Sequence, residues 1–305
     1  MHPLESGGDW PALPLAAWRR TRDTLHLYLQ IVGKIRLALS PPVNHWWHVT
    51  LYVSPRGLTT HAIASRSGSF EIEFDFIAHR LELRASDGRR GSFALEDGLA
   101  VCDFHAQLFE RLGEMGIDAP IRPLPYDCFS DIPFAEDREH RSYDPEYIAR
   151  FHRVLVSLDG IFAGFRGRFV GKSTPVHLFW HTFDLVVTRF SGRKAPKVES
   201  MSAMLQEAYS HELVSFGFWS GDDELGAPAF YSYAHPEPAG LRGLPLQPRT
   251  AFWKPRNGSS LALYRYDDMR SAADPRAALI DFFQSAYLAG AAAAGWDIEA
   301  LEWHR

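Results

Sequence analysis

Residues 42–53, PVNHWWHVTLYV, put two histidines and two tryptophans in consecutive positions and then continue in β-branched and aromatic residues. A second stretch, PVHLFWHTFDLV at 175–186, repeats the pattern. At an offset of 133, Pro42, Val43, Trp47 and His48 fall on Pro175, Val176, Trp180 and His181. Ser40 and Arg56 fall on Ser173 and Arg189 at the same offset. β-Branched and aromatic runs of this kind read as strands, so the chain is expected to use one strand motif twice.

The offset extends upstream. Within residues 14–39, Trp18, Leu25, Tyr28, Val32, Ile35 and Leu39 recur in steps near three and four, interrupted at Thr21, the spacing of an apolar helix stripe. Shifted by 133, the stripe predicts apolar residues at positions held by Phe151, Val154, Leu158, Ile161 and Phe165. Asp144 and Pro145 supply an N-cap and a first-turn proline for this second helix. Downstream, residues 104–118 resemble 283–297 at an offset of 179, and Asp274 and Pro275 again mark a helix start. The larger offset places an insertion between 190 and 262, a span rich in glycine, proline and serine.

Between the first pair of helices the pattern predicts strands near 45–54, 58–64, 69–77, 80–85 and 91–95. Phe70 to Phe76 alternates apolar and acidic residues, which predicts a half-buried antiparallel strand with Glu71, Glu73 and Asp75 on a solvated face. The expected fold is therefore α+β, with no dinucleotide-binding glycine motif after any strand. Two similar halves are expected, a first repeat over 10–120 and a second over 144–300. A pseudo-twofold would relate them, and residues 1–305 would form one compact domain.

The chain has 305 residues, 46% hydrophobic and 23% charged, a composition that can bury a substantial core. Its net charge of -5 argues against a nucleic-acid partner, which calls for a basic surface. The two cysteines, Cys102 and Cys128, form no metal-binding spacing and read as reduced thiols. The N-terminus lacks the basic-then-apolar order of a signal peptide, and no apolar run is long enough for a membrane span. A cytoplasmic protein with no membrane partner is expected.

Strand alternation places Trp47 and Trp180 on equivalent faces under the two helices, and Trp46, His48, Tyr52, His177 and His181 on faces suited to a pocket wall. Other motifs supply chemistry. His177 and His181 have the spacing of a helical metal pair, but on a strand they would stand ~13 Å apart. GRFVGKSTP resembles a phosphate loop but has Arg166 where the first glycine belongs, and its helix-to-strand order is reversed. Lys172 remains a candidate ligand contact. TRFSGRKAPK clusters Arg189, Arg193, Lys194 and Lys197, a set suited to a small anion. QEAYSHE gathers Glu207, Tyr209, His211 and Glu212, which can serve as acids, bases or metal ligands.

The stretches NHWWHVTLYVSPRGLTT, FEIEFDFIAHRL, PVHLFWHTFDLVVTRFSGR, EAYSHE and FYSYAHPEP together resemble a bacterial family of unknown function. The resemblance covers nearly the whole chain. It implies one full-length domain and brings no activity, cofactor or site residue. Members of that family often carry glycine at the position of His181 and tyrosine at that of His235, which leaves His45, His48, His177 and His211 as the stronger candidates.

The leading expectation is an enzyme acting on a small anionic or aromatic metabolite in a histidine-rich pocket between the halves. His177, His211 and Glu212 would do acid–base work, and Trp46, Tyr52, Lys172, Arg189 and Arg193 would bind the ligand. His45, His48, His177 and His211 also fit a divalent transition metal. The alternative is a non-catalytic small-molecule binding protein using the same pocket, and a third reading is an interaction protein whose histidines only pack.

Overall fold

The first helix, α1 (Leu15–Leu39), starts after Pro14 and ends at Ser40, because the prolines that follow cannot continue a helical hydrogen-bond ladder. The computed structural model describes residues 10–66, 68–256 and 259–303. Among them no helix is long and apolar enough to cross a membrane. Cys102 and Cys128 are both free thiols. The chain divides into two compact units.

The described part of the first unit comprises residues 10–43, 47–156 and 178–183. After α1 it carries β1 (Tyr52–Ser54), β2 (Gly57–Thr59), β3 (Ile63–Ser65), β4 (Gly68–Asp75), β5 (Arg80–Ala85), β6 (Arg90–Ala94) and α2 (Val101–Glu114). Helix α3 (Pro145–Arg166) begins in this unit, where the Asp144 carboxylate accepts hydrogen bonds from the Glu146 and Tyr147 amides. The sheet is antiparallel in the order β1-β2-β4-β5-β6, with β3 also paired to β4. Phe74 and Phe93 meet Phe104 of α2, and Phe104 stacks on Tyr28 of α1 at 4.0 Å between ring centres.

The stripe on α1 is buried as its spacing predicts, but so are Arg22, His26, Gln30 and Lys34 between its apolar residues. From Thr24 to Arg36 the helix is buried on every face. Hydrogen bonds offset part of the cost of burying its polar groups. The Gln30 amide donates to the Tyr126 carbonyl and accepts from the Tyr126 N–H, at 2.8 and 2.9 Å. His26 Nε2 lies 3.0 Å from the His181 carbonyl oxygen. One residue sets how closely the chain approaches this helix. A Cβ on Gly33 would lie 2.1 Å from the Trp180 ring, so only glycine admits the indole there. Trp180 then donates from Nε1 to the Val49 carbonyl at 2.8 Å. Leu51 and Leu178 exchange backbone hydrogen bonds of 2.9 and 2.8 Å beside it.

The expected strand over 45–54 is not one strand. His45 and Trp46 adopt left-handed backbone, with φ of 56° and 60°, and residues 44–46 form a 3-10 turn. Alternation fails where φ turns positive, so the faces assigned to residues 44–50 do not exist. Trp180 is buried as expected, whereas Trp47 is only half-buried. Shifted by 133, α1 (15–39) covers 148–172 and overlaps α3 (145–166), but the strands after the two helices do not correspond. Residues 52–59 form the β1-β2 hairpin, and residues 185–192 lie within one continuous strand. The face of β4 predicted to be solvated is also different. Glu73 and Asp75 are buried and held by Arg84 and Arg56, at 2.6 and 2.5 Å.

The described part of the second unit comprises residues 44–46, 157–177 and 184–303. It holds β8 (Asp184–Lys194), α4 (Ala203–Ala208), β9 (His211–Trp219), β10 (Ala229–His235), β11 (Phe252–Arg256), β12 (Ser259–Arg265), α5 (Tyr266–Arg270), α6 (Pro275–Ala293) and α7 (Ile298–Leu301). Its antiparallel sheet runs β11-β12-β10-β9-β8, and β7 (His177–Phe179) starts at the unit's residue His177. Phe216 and Phe230 on one face pack against Phe283 of α6, and Phe165 of α3 joins them. Asp274 caps α6 as the sequence predicts, accepting from the Ala277 amide. Both units thus follow helix, antiparallel sheet, helix.

The Gly33–Trp180 approach makes a signed prediction. Alanine for glycine inside a helix ordinarily stabilises by up to ~1 kcal/mol, but Gly33→Ala is expected to destabilise by roughly 1–3 kcal/mol through overpacking. Trp180→Ala is expected to cost roughly 3–5 kcal/mol. Urea unfolding of the two variants measures both, and a stabilised Gly33→Ala would refute the close packing.

His26 gives a second prediction. Burial, then the nearby Arg22 charge, lower its pKa to about 3, against the pull of hydrogen bonds to the His181 and Trp180 carbonyls. Its unfolded value is ~6.5, so between ~6.5 and ~3 the unfolded chain binds the proton that the folded chain refuses. Stability should fall as the pH drops through that window. Denaturant titrations at stepped pH should show a shallower acid slope in His26→Gln than in the wild-type protein.

Candidate functional site

The left-handed turn at 44–46 belongs to the second unit and brings His45 onto α4. Two successive non-glycine residues at positive φ each cost on the order of 1–3 kcal/mol, so the surrounding contacts must hold them. The His45 N–H donates to Glu207 Oε1 at 2.8 Å. Its Nδ1 lies 2.9 Å from the Ala208 carbonyl oxygen, which cannot donate, so Nδ1 carries the proton. Nε2 of the neutral ring is therefore an acceptor, and Lys172 Nζ stands 2.7 Å from it.

Three elements converge here for simple reasons. Residues 172–174 run beside β8, with the Phe190 N–H bonded to the Lys172 carbonyl and the Thr174 N–H to the Thr188 carbonyl. This sets Lys172 against the Phe190 ring, with Nζ 5.1 Å from the ring centre. The His45 ring lies 4.6 Å from Phe190, and His211 meets His45 edge-on at 5.4 Å. His211 opens β9 opposite Lys194 of β8. His45 is buried, Lys172 and His211 are half-buried and Glu207 and Lys194 are exposed, so the cluster opens to solvent on one side.

Electrostatics favour neutral bases. Burial lowers the pKa of Lys172, partly offset by Glu207. Burial also lowers His45, with Lys172 and His211 adding to the effect and the Ala208 carbonyl and Glu207 opposing it. His211 is lowered by burial and by the Lys172 and Lys194 charges. A lysine amine against an unprotonated imidazole nitrogen is a proton-transfer pair.

A half-buried polar chain lies nearby, on β10 and the turn after α4. Tyr209 and Tyr233 hydroxyls are 3.1 Å apart, Tyr231 donates to Asp184, and Tyr209 lies 4.8 Å from the His235 ring. Gly217 makes room for Tyr231, since a Cβ there would lie 2.3 Å from its ring. The alternation FYSYAH places Tyr231, Tyr233 and His235 on one strand face, a signal that the sequence does carry. No sequence signal marks Phe190 or the Ala208 carbonyl as partners of His45.

The remaining expected residues take other places. Arg189 is buried, its guanidinium 3.6 Å from the Phe165 ring centre and 4.5 Å from that of Tyr287, and it donates to the Phe165 carbonyl. Burial lowers its pKa to about 10. A charge enclosed by aromatic faces is a packing element, which removes Arg189 from the ligand-binding set. Arg193 and Glu212 pair with each other, Nη2 to Oε2 at 2.7 Å, and Ser191 donates to the same oxygen. Arg193 also donates to the Ala294 and Gly295 carbonyls at the end of α6, where a cation suits the helix dipole. Glu212 is thus engaged as an anchor, not left as a base. It lines a recess of about 180 Å³ with His235, Glu237 and Trp296, where Glu237 is in turn bonded to Ser260.

His177 is fully buried at the start of β7. Tyr52, in the first unit, stacks on His61 at 4.1 Å beside a shallow groove that His61, Glu71 and Arg84 line. Trp46 is half-buried in the left-handed turn. His48 accepts the Val43 N–H on Nδ1 at 3.1 Å. Among the described residues no group of three or more His, Cys, Asp or Glu side chains could hold a metal ion. The expected metal set of His45, His48, His177 and His211 is therefore not gathered, because both His45 nitrogens are committed to the Ala208 carbonyl and Lys172.

These features define an α+β protein with two antiparallel sheets, the second bearing a lysine–histidine cluster. The chain belongs to DUF5996, a family of unknown function, whose model matches residues 10–303. No curated protein and no solved structure matches it.

The Arg193–Glu212 pair makes a prediction about anchoring. Glu212→Gln should shift stability by less than ~1 kcal/mol, as for half-exposed ion pairs. Urea unfolding of the variant measures it, and a loss of several kcal/mol, as for a broken buried pair, would refute the partly exposed placement.

Proposed function

We propose that the protein is a small-molecule enzyme whose acid–base site is the Lys172–His45–His211 cluster of the second unit, acting on a small anionic metabolite. The observation that carries this reading is the 2.7 Å contact between Lys172 Nζ and an imidazole whose tautomer the Ala208 carbonyl fixes. Cationic groups around half-buried bases would draw in an anion, and Lys194 at the exposed edge would hold its charge. The backbone strain at His45 supports a functional role, since strained residues persist where the surroundings over-determine them. Non-catalytic binding of the same anion uses the same residues and differs only in turnover. The shared helix, sheet, helix order of the two units supports descent from an internal duplication.

The test is a thermal-shift series with pyruvate, 2-oxoglutarate, citrate and inorganic phosphate. At least one should raise the melting temperature of the wild-type protein. That shift should vanish in Lys172→Met and weaken in His211→Asn, with circular dichroism unchanged. A shift that survives Lys172→Met, or none with any of the four, would overturn this placement of the site.

A further inference from the structure

We propose that Lys172 forms a Schiff base with a small carbonyl compound bearing an anionic group, a 2-oxo acid or a phosphorylated aldehyde, and that His45 carries the proton. This rests on the acid–base reading of the same cluster and names its covalent chemistry. A lysine becomes a nucleophile when desolvation and neighbouring cations favour its neutral amine. Lys172 meets the first condition: it is half-buried with its Nζ over the Phe190 ring, while Glu207 acts against it and Lys194 is the cation on the adjoining strand. The attacking lone pair also needs a partner that takes the proton it sheds. His45 Nε2 sits 2.7 Å away with its lone pair towards the amine, because Nδ1–H is occupied by the Ala208 carbonyl.

The step balances without an oxidant or a reductant. The neutral amine attacks the carbonyl carbon, the N–C bond forms, and the C=O π pair moves to oxygen. The surplus proton on nitrogen passes to His45 Nε2. The resulting imidazolium returns it to the alkoxide, giving the neutral carbinolamine; the second N–H proton then follows the same route to the hydroxyl, water leaves, and the nitrogen lone pair forms C=N. Burial keeps His45 a weak base, so it gives the proton back readily. Lys194, exposed beside His211, is placed to hold the carboxylate or phosphate of the substrate.

The experiment is borohydride trapping on the full chain. Protein is incubated with pyruvate, 2-oxoglutarate or glyceraldehyde 3-phosphate, reduced with borohydride, digested and read by mass spectrometry. At least one probe should leave a reduced adduct on Lys172 in preference to the exposed Lys197. The adduct should be absent in Lys172→Arg and form roughly 100-fold more slowly in His45→Gln, the range for loss of a general acid–base. Melting curves of both variants report whether they fold. As a second readout, acetic anhydride should label Lys172 at a lower pH than Lys197. No adduct on Lys172 with any probe, or equal labelling of Lys172 and Lys197, overturns the Schiff base. If trapping fails while anion stabilisation still depends on Lys172, the acid–base site stands and only the covalent step falls.

Discussion

The first unit depends on one absent side chain. Gly33 lets the Trp180 indole lie against the backbone of α1, and the indole N–H then fixes the Val49 carbonyl. Through this contact residues 178–183 are held in the first unit, although the residues before and after them belong to the second. The approach is hydrophobic and steric at once. A buried tryptophan supplies large contact area, and the missing Cβ is the only reason it fits. The buried middle of α1, residues 24–36, must find hydrogen bonds for Gln30 and His26, and it finds them on the Tyr126 and His181 backbone.

The second unit receives the complementary excursion. Residues 44–46 leave the first unit and turn left-handed, so that His45 reaches Glu207, Ala208 and Lys172. Each of the two stretches that match in sequence holds a short segment assigned to the other unit, 44–46 and 178–183. Their likeness does not lie in a shared strand geometry, since the second contains strand at 177–179 where the first has a left-handed turn at 44–46.

The chemistry of the cluster comes from a hierarchy of constraints. The Ala208 carbonyl decides the tautomer of His45, the tautomer decides that Nε2 accepts, and the position of residues 172–174 beside β8 decides which donor meets it. Glu212 and Arg193, which look more reactive in sequence, spend their charges on each other and on the end of α6. Arg189 spends its charge on three aromatic rings.

Much of the fold was legible from local rules. The α1 and α3 stripes, the Asp144 and Asp274 caps with their following prolines, and β5 at 80–85 all depend on neighbours within a few residues, where sequence spacing is physical distance. The candidate site was legible only as a pool of residue types. His45, Lys172, Glu207 and His211 were each in view, but His45 was expected beside His48 and His177 around a metal. Local pattern could not foresee the positive φ at His45 and Trp46, because polar and aromatic residues enter that region only when distant contacts stabilise it. Nor could it rank Lys172 above Arg189, since exposure and partners are set by what packs against them. The sequence by itself determined the α+β class and the long helices, through periodicity and capping. Tertiary structure decided which imidazole meets which amine, because a 2.7 Å contact between residues 127 positions apart is a property of packing and not of spacing.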